Sequence, residues 1–261
     1  LVAILAVLIP SASLAQSLTL GGTGGAVPLL REAGRVFAAK AGVELKIIDS
    51  LGSGGGIAAA RDGVLDVAAS GRELTKEEKA AGLSVGLVVR TPYVIATSYP
   101  TPPSHSRVEI AKLFADKGAK WPDGTPVRLI LRPVSESDNT VLFSLFPGTE
   151  AAVAAARVRA EVPVASTDQD NQALAAQTLG SLIGTTYTQL LLEHRALHAL
   201  PIDGTPPTPA NLANGSYPFE KQILFVTLAH PSSIGERFIE FLRSPEGQTV
   251  LKKCGTLPVS D

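Results

Sequence analysis

The spacing of apolar and polar positions divides the chain into short strands that alternate with amphipathic helices. Leu18–Leu20 is an apolar run that ends in Gly21-Gly22-Thr23-Gly24-Gly25. Behind Pro28, the residues Leu29, Leu30, Ala33, Val36 and Phe37 recur at helical spacing, and Gly42 marks the stop. Val43–Ile48 reads as a strand, Asp49–Gly56 as a second glycine loop, and Ile57–Arg61 as a short helix closed near Gly63. Val64–Ala69 is the next strand, and Ser70-Gly71-Arg72 leaves it. Thr75 with Glu78 three residues on is a capping box, and the strand Leu83–Val89 follows that helix.

A second unit begins after Tyr93–Ser98, at Pro100, Pro102 and Pro103. Ser106 and Glu109 form another capping box, and Trp121-Pro122-Asp123-Gly124 is a turn. Val127–Leu131 reads as a strand ending at Arg132, and the polar loop Ser135–Asn139 opens a helix. Helices over Glu150–Arg159 and Asp170–Thr178 precede the strands Ser181–Thr185 and Leu197–Ile202. Lys221–Leu228 is a long strand without breakers, and two capped helices close the chain, from Ser232 and Ser233 to Leu242 and from Ser244-Pro245 into Lys253. Such alternation predicts an α/β fold, mostly parallel sheet with helices on its faces.

Composition narrows the function. A chain of 261 residues is one large domain or two lobes. Lys plus Arg number 23 against 24 Asp plus Glu, so the basic surface that grips nucleic acid is missing. Cys254 stands alone, which excludes an internal disulfide, and no Cys/His zinc pattern exists. The apolar run Leu1–Ile9 before Ser13-Leu14-Ala15 reads as the end of a secretory leader, residues 1–15, cleaved after Ala15. The expectation is a free periplasmic protein.

Three polar loops lie between a strand and a helix start: Gly21–Gly25, Ser53–Gly56 and Ser135–Asn139. Ser70-Gly71-Arg72 is a fourth loop at a strand end. Open N–H groups and the helix dipole make such places anion sites, glycine lets backbone approach a ligand, and serine adds a hydroxyl. Read singly, each is equally a tight turn; four together at strand C-termini point to a ligand, since open α/β sheets bind there. Arg72 and Arg132 each follow an apolar strand, where a guanidinium can clamp an oxyanion or form a surface ion pair. Glu136 and Asp138 share the loop after Arg132 and can cap its helix. The chain has no Walker loop and no GxSxG elbow, and Val27 spoils the dinucleotide pattern begun at Gly22 and Gly24. His194 and His198 have metal-ligand spacing but no third ligand, so a metal site is not expected.

Together, Gly22-x-Gly24 before Pro28, Leu51–Ile57, Gly63–Ser70 and Ser70-Gly71-Arg72-Glu73-Leu74 with Glu77-Glu78 resemble the phosphate-binding proteins of ABC importers. Asn214-Gly215-Ser216-Tyr217-Pro218 and the tail from Phe238 through Glu246-Gly247-Gln248 to Pro258 share the likeness. The resemblance implies a two-lobed periplasmic binding protein type II fold. Lobe one would be residues 17–95 and 228–261, lobe two residues 96–227, with hinge crossings near Ile95–Ser98 and Pro218–Ile223. It implies phosphate or a related small oxyanion held by the Gly25-Ala26-Val27 loop, Ser53-Gly54, Ser70-Gly71-Arg72, Arg132 and Glu136-Ser137-Asp138. Arg132 would face Ser53 and Ser70 across the cleft and carry the charge recognition, with Arg72 on the ligand or on Glu136 or Asp138. A membrane permease would be the partner, the protein a monomer without cofactor or catalysis. Two departures stand out: Gly71 replaces an aspartate that accepts the phosphate proton in some relatives, and Glu136-Ser137-Asp138 replaces Ser-Gly-Thr. The alternatives are an exported, hydrolase-like α/β enzyme and a binding-protein-like sensor for another solute.

Overall fold

The computed structural model describes residues 16–49 and 51–259. The expected leader, residues 1–15, lies outside the described residues. The chain opens with β1 (Ser17–Gly22), a tight turn at Gly24–Ala26 and α1 (Val27–Ala41), which Gly42 ends in the left-handed conformation. Next come β2 (Glu44–Ile48), α2 (Gly52–Arg61), β3 (Val67–Ser70) and α3 (Lys76–Ala80), which opens on the Thr75–Glu78 capping box. β4 (Leu83–Thr97) runs for 15 residues. Beyond it lie α4 (Arg107–Ala115), opened by the Ser106–Glu109 box, β5 (Arg128–Leu129), α5 (Ser137–Leu145), α6 (Thr149–Arg157) and α7 (Asp168–Gln177). β6 (Ser181–Thr186), α8 (Tyr187–Glu193), β7 (His198–Ala199) and α9 (Pro209–Ala213) lead to β8 (Glu220–Leu228). The amphipathic α10 (Ser233–Arg243), then α11 (Pro245–Lys253) and β9 (Leu257–Pro258), complete the chain.

β1 pairs in parallel with β2 and β3, and β5 pairs in parallel with β6, as the βα alternation predicts. The two long strands join these groups antiparallel: β8 lies between β3 and β4, and β4 continues onto β6. The hydrogen-bonded order is β2-β1-β3-β8-β4-β6-β5, with β7 and β9 on β4. β4 changes neighbours at a proline. Residues 83–92 pair with β8 and residues 93–96 pair with β6. Pro92 has no N–H to give, so the ladder with β8 ends there, and Tyr93 N–H donates to the Phe219 carbonyl just beyond it.

The apolar residues divide on either side of that point. Phe37, Phe238 and Phe241 cluster under α1 and α10, with ring centroids 5.4 and 5.6 Å from Phe37. Tyr93, Phe146, Tyr217 and Phe219 anchor a second core with Phe114 and Trp121.

Several elements differ from the sequence reading. The glycine run is not a loop before a helix: Gly52–Gly56 forms the helix's own first turns. Glycine costs about 1 kcal/mol per helical position, and tertiary packing overrides it here. A β-carbon on Gly56 would lie 2.5 Å from the Cα of Gly22, so only glycine lets α2 settle on β1. Val127–Leu131 keeps two strand residues, because beyond them Leu131 makes only a bridge to Val164. Leu197–Ile202 shrinks to β7, and α8 and α9 were not expected. His194 ends α8 at φ 50° and His198 lies in β7, so their spacing does not place both rings on one helix face.

The Gly56 contact gives a direct test. Gly56→Ala should lower stability by about 1–3 kcal/mol, the usual cost of overpacking, read as a fall in the denaturant midpoint with an unchanged slope. An unaffected midpoint would show that α2 moves away from β1 at little cost.

Candidate functional site

A cleft of about 780 Å³ opens where the two groups of strands meet. One wall is the start of α2, with Leu51, Ser53, Gly54 and Gly55, together with Gly71 and Arg72 after β3. The other wall is the start of α5, with Glu136, Ser137, Thr140 and Val141. Lys221, Gln222 and Leu224 of β8 form its floor. Both helices therefore present first turns to the cleft, where N–H groups have no partner within the helix and the dipole is positive.

At the inner end the walls touch. A β-carbon on Gly71 would lie 2.8 Å from Ser137 Oγ and 2.9 Å from Lys221 Cε, so the bare backbone of Gly71 is what admits both. The Gly71 N–H donates to Ser53 Oγ at 3.0 Å and ties the end of β3 to α2. Lys221 Nζ donates to the carboxylate of Asp138, and both side chains are buried. Burial pulls the Lys221 amine down to about 8; Glu136 nearby opposes that pull and Arg132 adds to it.

Arg132 is buried one layer behind this contact. Its guanidinium lies 3.3 Å from Glu136 and 3.5 Å from Asp168 and donates to the Ala165 carbonyl. Asp168 is itself almost fully buried and accepts from the Gly25 N–H. Burial raises its carboxyl above the ordinary range, against the lowering pull of Arg132 and of that hydrogen bond. The seam thus holds two buried cations, Arg132 and Lys221, among three carboxylates, Glu136, Asp138 and Asp168.

The structure brings together Ser53, Gly54, Gly71, Glu136, Ser137 and, behind them, Asp138, as the sequence placed them. Four other expectations need correction. Arg132 does not face the open cleft toward Ser53 and Ser70, because three acceptors already hold it. Arg72 pairs with neither Glu136 nor Asp138. It forks onto Glu78 of its own half at 2.8 and 2.9 Å and holds that carboxyl down to about 2. The Ser70 hydroxyl is spent on its own turn: it donates to the Arg72 carbonyl at 2.7 Å and accepts the Arg72 N–H at 3.1 Å. The Gly25-Ala26-Val27 loop is roofed by α7 and α8, with Gln169 donating to the Gly24 carbonyl at 2.9 Å and Gln189 to the Asp168 carbonyl at 3.1 Å.

Sequence reasoning missed Lys221, Asp168, Gln169 and Gln189. Lys221 was hidden as the first residue of an apolar strand, where one cation reads as a strand end. Asp168 had a visible signal, since Val162-Pro163-Val164-Ala165 runs into Thr167 and Asp170, a capping box with the same strand-to-helix logic as the other loops.

A fold of this layout, with two groups of strands joined by crossing strands around a polar cleft, is that of solute-binding proteins. Residues 10–246 match the model of a PBP superfamily domain, and the chain belongs to that family. The structure is similar to one from Clostridium perfringens, assigned to the substrate-binding proteins of phosphate ABC transporters and solved with bound phosphate. The TM-score is 0.75 at 20% identity, covering 94% of this chain and 100% of that one. An ABC-type phosphate transport receptor from Vibrio cholerae gives 0.60 at 16% identity, covering 93% and 100%. The effector-binding domain of QuiR in complex with shikimate gives 0.53 at 12%, covering 87% and 95%. No curated protein matches the chain. Among the described residues no helix is long and apolar enough to cross a membrane.

The buried pair sets up a stability test. Lys221→Met leaves Asp138 buried without its cation and should cost about 3–5 kcal/mol in denaturant unfolding. Adding Asp138→Leu should return most of that loss, because the orphaned charge is gone. A double variant no more stable than Lys221→Met would show that the two residues are not coupled.

Proposed function

We propose that the protein is the extracytoplasmic solute-binding component of an ABC importer and that it captures phosphate or a related small oxyanion between its two halves. The observation that carries this reading is Lys221, a buried cation lining the cleft between the first turns of α2 and α5. Two helix N-termini, the Ser53 and Ser137 hydroxyls and one ammonium form the donor set that an oxyanion needs. The likeness to a phosphate-bound structure supports the same solute class.

The carboxylates select among anions. Two like charges about 4 Å apart repel by about 4 kcal/mol at an effective dielectric of about 20, so a bare dianion beside Asp138 and Glu136 is disfavoured. Phosphate keeps a proton that a carboxylate can accept, which turns the repulsion into a hydrogen bond. Sulfate at neutral pH has none. The role of proton acceptor, absent at Gly71, thus passes to the opposite wall.

Capture is closure of two lobes about the crossings at Pro92–Tyr93 and Phe219–Glu220, residues 17–92 with 220–259 against residues 93–219. The expected bounds of 17–95 with 228–261 and 96–227 shift because β8 pairs with β3 and sends Ile223 and Phe225 into the first core. Contacts such as Gly71 on Ser137 exist only when the lobes meet, so a solute that adds to them shifts the population toward the closed form. The permease recognises that form. The protein acts as an exported monomer, with residues 1–15 as its leader, and does no chemistry of its own. An exported hydrolase is the weaker reading, because the cleft hydroxyls have no histidine or cysteine beside them in the lining.

Calorimetric titration tests the reading. Phosphate should bind more tightly than sulfate. Lys221 carries its charge below about pH 8 and loses it above, so phosphate affinity should fall about tenfold or more between pH 7.5 and 9.5, where the anion changes little. Equal affinity for sulfate, or a flat profile across that range, would contradict it.

A further inference from the structure

We infer that the solute is an organic phosphomonoester with an uncharged, hydroxylated body, of the sugar- or polyol-phosphate class, rather than the bare inorganic ion. The inference rests on the reading above, that the inner end of the cleft takes the phosphoryl group.

Size is the first argument. The cleft measures about 780 Å³, within the roughly 300–1,000 Å³ of pockets that bury organic ligands. An anion of four oxygens fills only its inner corner, where Ser137, Gly71 and Lys221 converge. The remaining room runs outward along α5. Ser137, Thr140, Val141 and Ser144 lie at positions i, i+3, i+4 and i+7, a single helical stripe about 10 Å long, and all four line the cleft.

The facing wall is bare without a packing reason. Gly52 needs its glycine for a φ of 66°, and Gly56 needs it for contact with Gly22. Gly54 and Gly55 need it for neither. A β-carbon on Gly54 would meet nothing within 4 Å, and one on Gly55 would only touch Leu51 at an ordinary 3.5 Å. Glycine in a helix weakens it, and at these two positions packing returns nothing for that cost. Room for a ligand, and close approach of the helix backbone to it, account for both.

The lining describes the body. Thr140, Ser144 and Gln222 offer uncharged hydrogen-bonding groups, and Val141 and Leu224 offer apolar surface. At the rim the one arginine, Arg72, is already paired with Glu78, and Glu220 with Arg90, while Glu73 adds negative charge. A second phosphate or a carboxylate on the body would meet Glu73 with every lining cation of the rim already paired. One phosphoryl head on a neutral polyol fits all three regions, the ester entering as its monoanion, which keeps one proton for Asp138 or Glu136 to accept.

The test is calorimetric titration of the purified protein at pH 5.5, below the second pKa of about 6 at which an ester loses that proton, with inorganic phosphate, glycerol 3-phosphate, glucose 6-phosphate and free glucose. At least one ester should bind tenfold or more tightly than inorganic phosphate, and free glucose should not bind measurably. In Thr140→Phe, which fills the outer cleft, the ratio of ester to phosphate affinity should fall toward one. Circular dichroism and melting checks that this variant is folded. If phosphate binds as tightly as every ester, or Thr140→Phe leaves the ratio unchanged, this inference is overturned while the anion reading stands. If neither phosphate nor any ester binds, both are overturned.

Discussion

Burying Arg132 and Lys221 at the seam between the two groups of strands costs several kcal/mol for each ion unless opposite charges answer it. Glu136, Asp138 and Asp168 supply that answer, and in doing so they fix how the two halves meet. Asp168 reaches the Gly25 N–H of the first half, Arg132 holds Asp168 and Glu136 together, and Lys221 draws Asp138 toward the floor. The closed seam is therefore an electrostatic balance with one more acid than base. On the proposed reading, an anion that enters takes over a partner already in use, so that binding is an exchange of partners and selectivity lies in which anions can make that exchange.

The backbone makes the balance possible through a few close approaches. Gly56 against Gly22 sets α2 on the sheet, and Gly71 against Lys221 and Ser137 brings opposite walls into contact. β4 passes from one group of strands to the other, Pro92 marks where it changes partner, and the chain returns beside it at Phe219 before entering β8. A change in the angle between halves thus acts at the same residues that carry Lys221 into the cleft. On the proposed reading, this coupling lets a contact with solute alter the equilibrium between open and closed forms.

Much of the fold was legible because local chemistry and global structure agree. The Thr75–Glu78 and Ser106–Glu109 boxes, Gly42 as a helix stop and the apolar run of β8 each stand where the sequence placed them. The glycine-rich start of α2 was misread because propensity opposes a helix there and only a contact with residue 22, far away in sequence, favours one. The site was legible in part for the same reason. Loops at strand ends pointed to Ser53, Gly71 and Ser137, which line the cleft. A residue's type does not reveal whether its charge is already taken, so Arg132 and Arg72 looked available and are not. Lys221 and Asp168 acquire meaning only through partners 83 and 36 positions away, Asp138 and Arg132.

The central claim is that an incoming anion displaces Asp138 from Lys221 and that the displaced carboxylate rejects anions with no proton to share. The most direct measurement is the ratio of phosphate to sulfate affinity in Asp138→Asn and in the parent, by calorimetry at one pH. Removing the carboxylate charge should strengthen sulfate binding and narrow the ratio about tenfold or more, as expected for relief of a like-charge contact. A ratio that stays the same, with both proteins folded, would contradict the account.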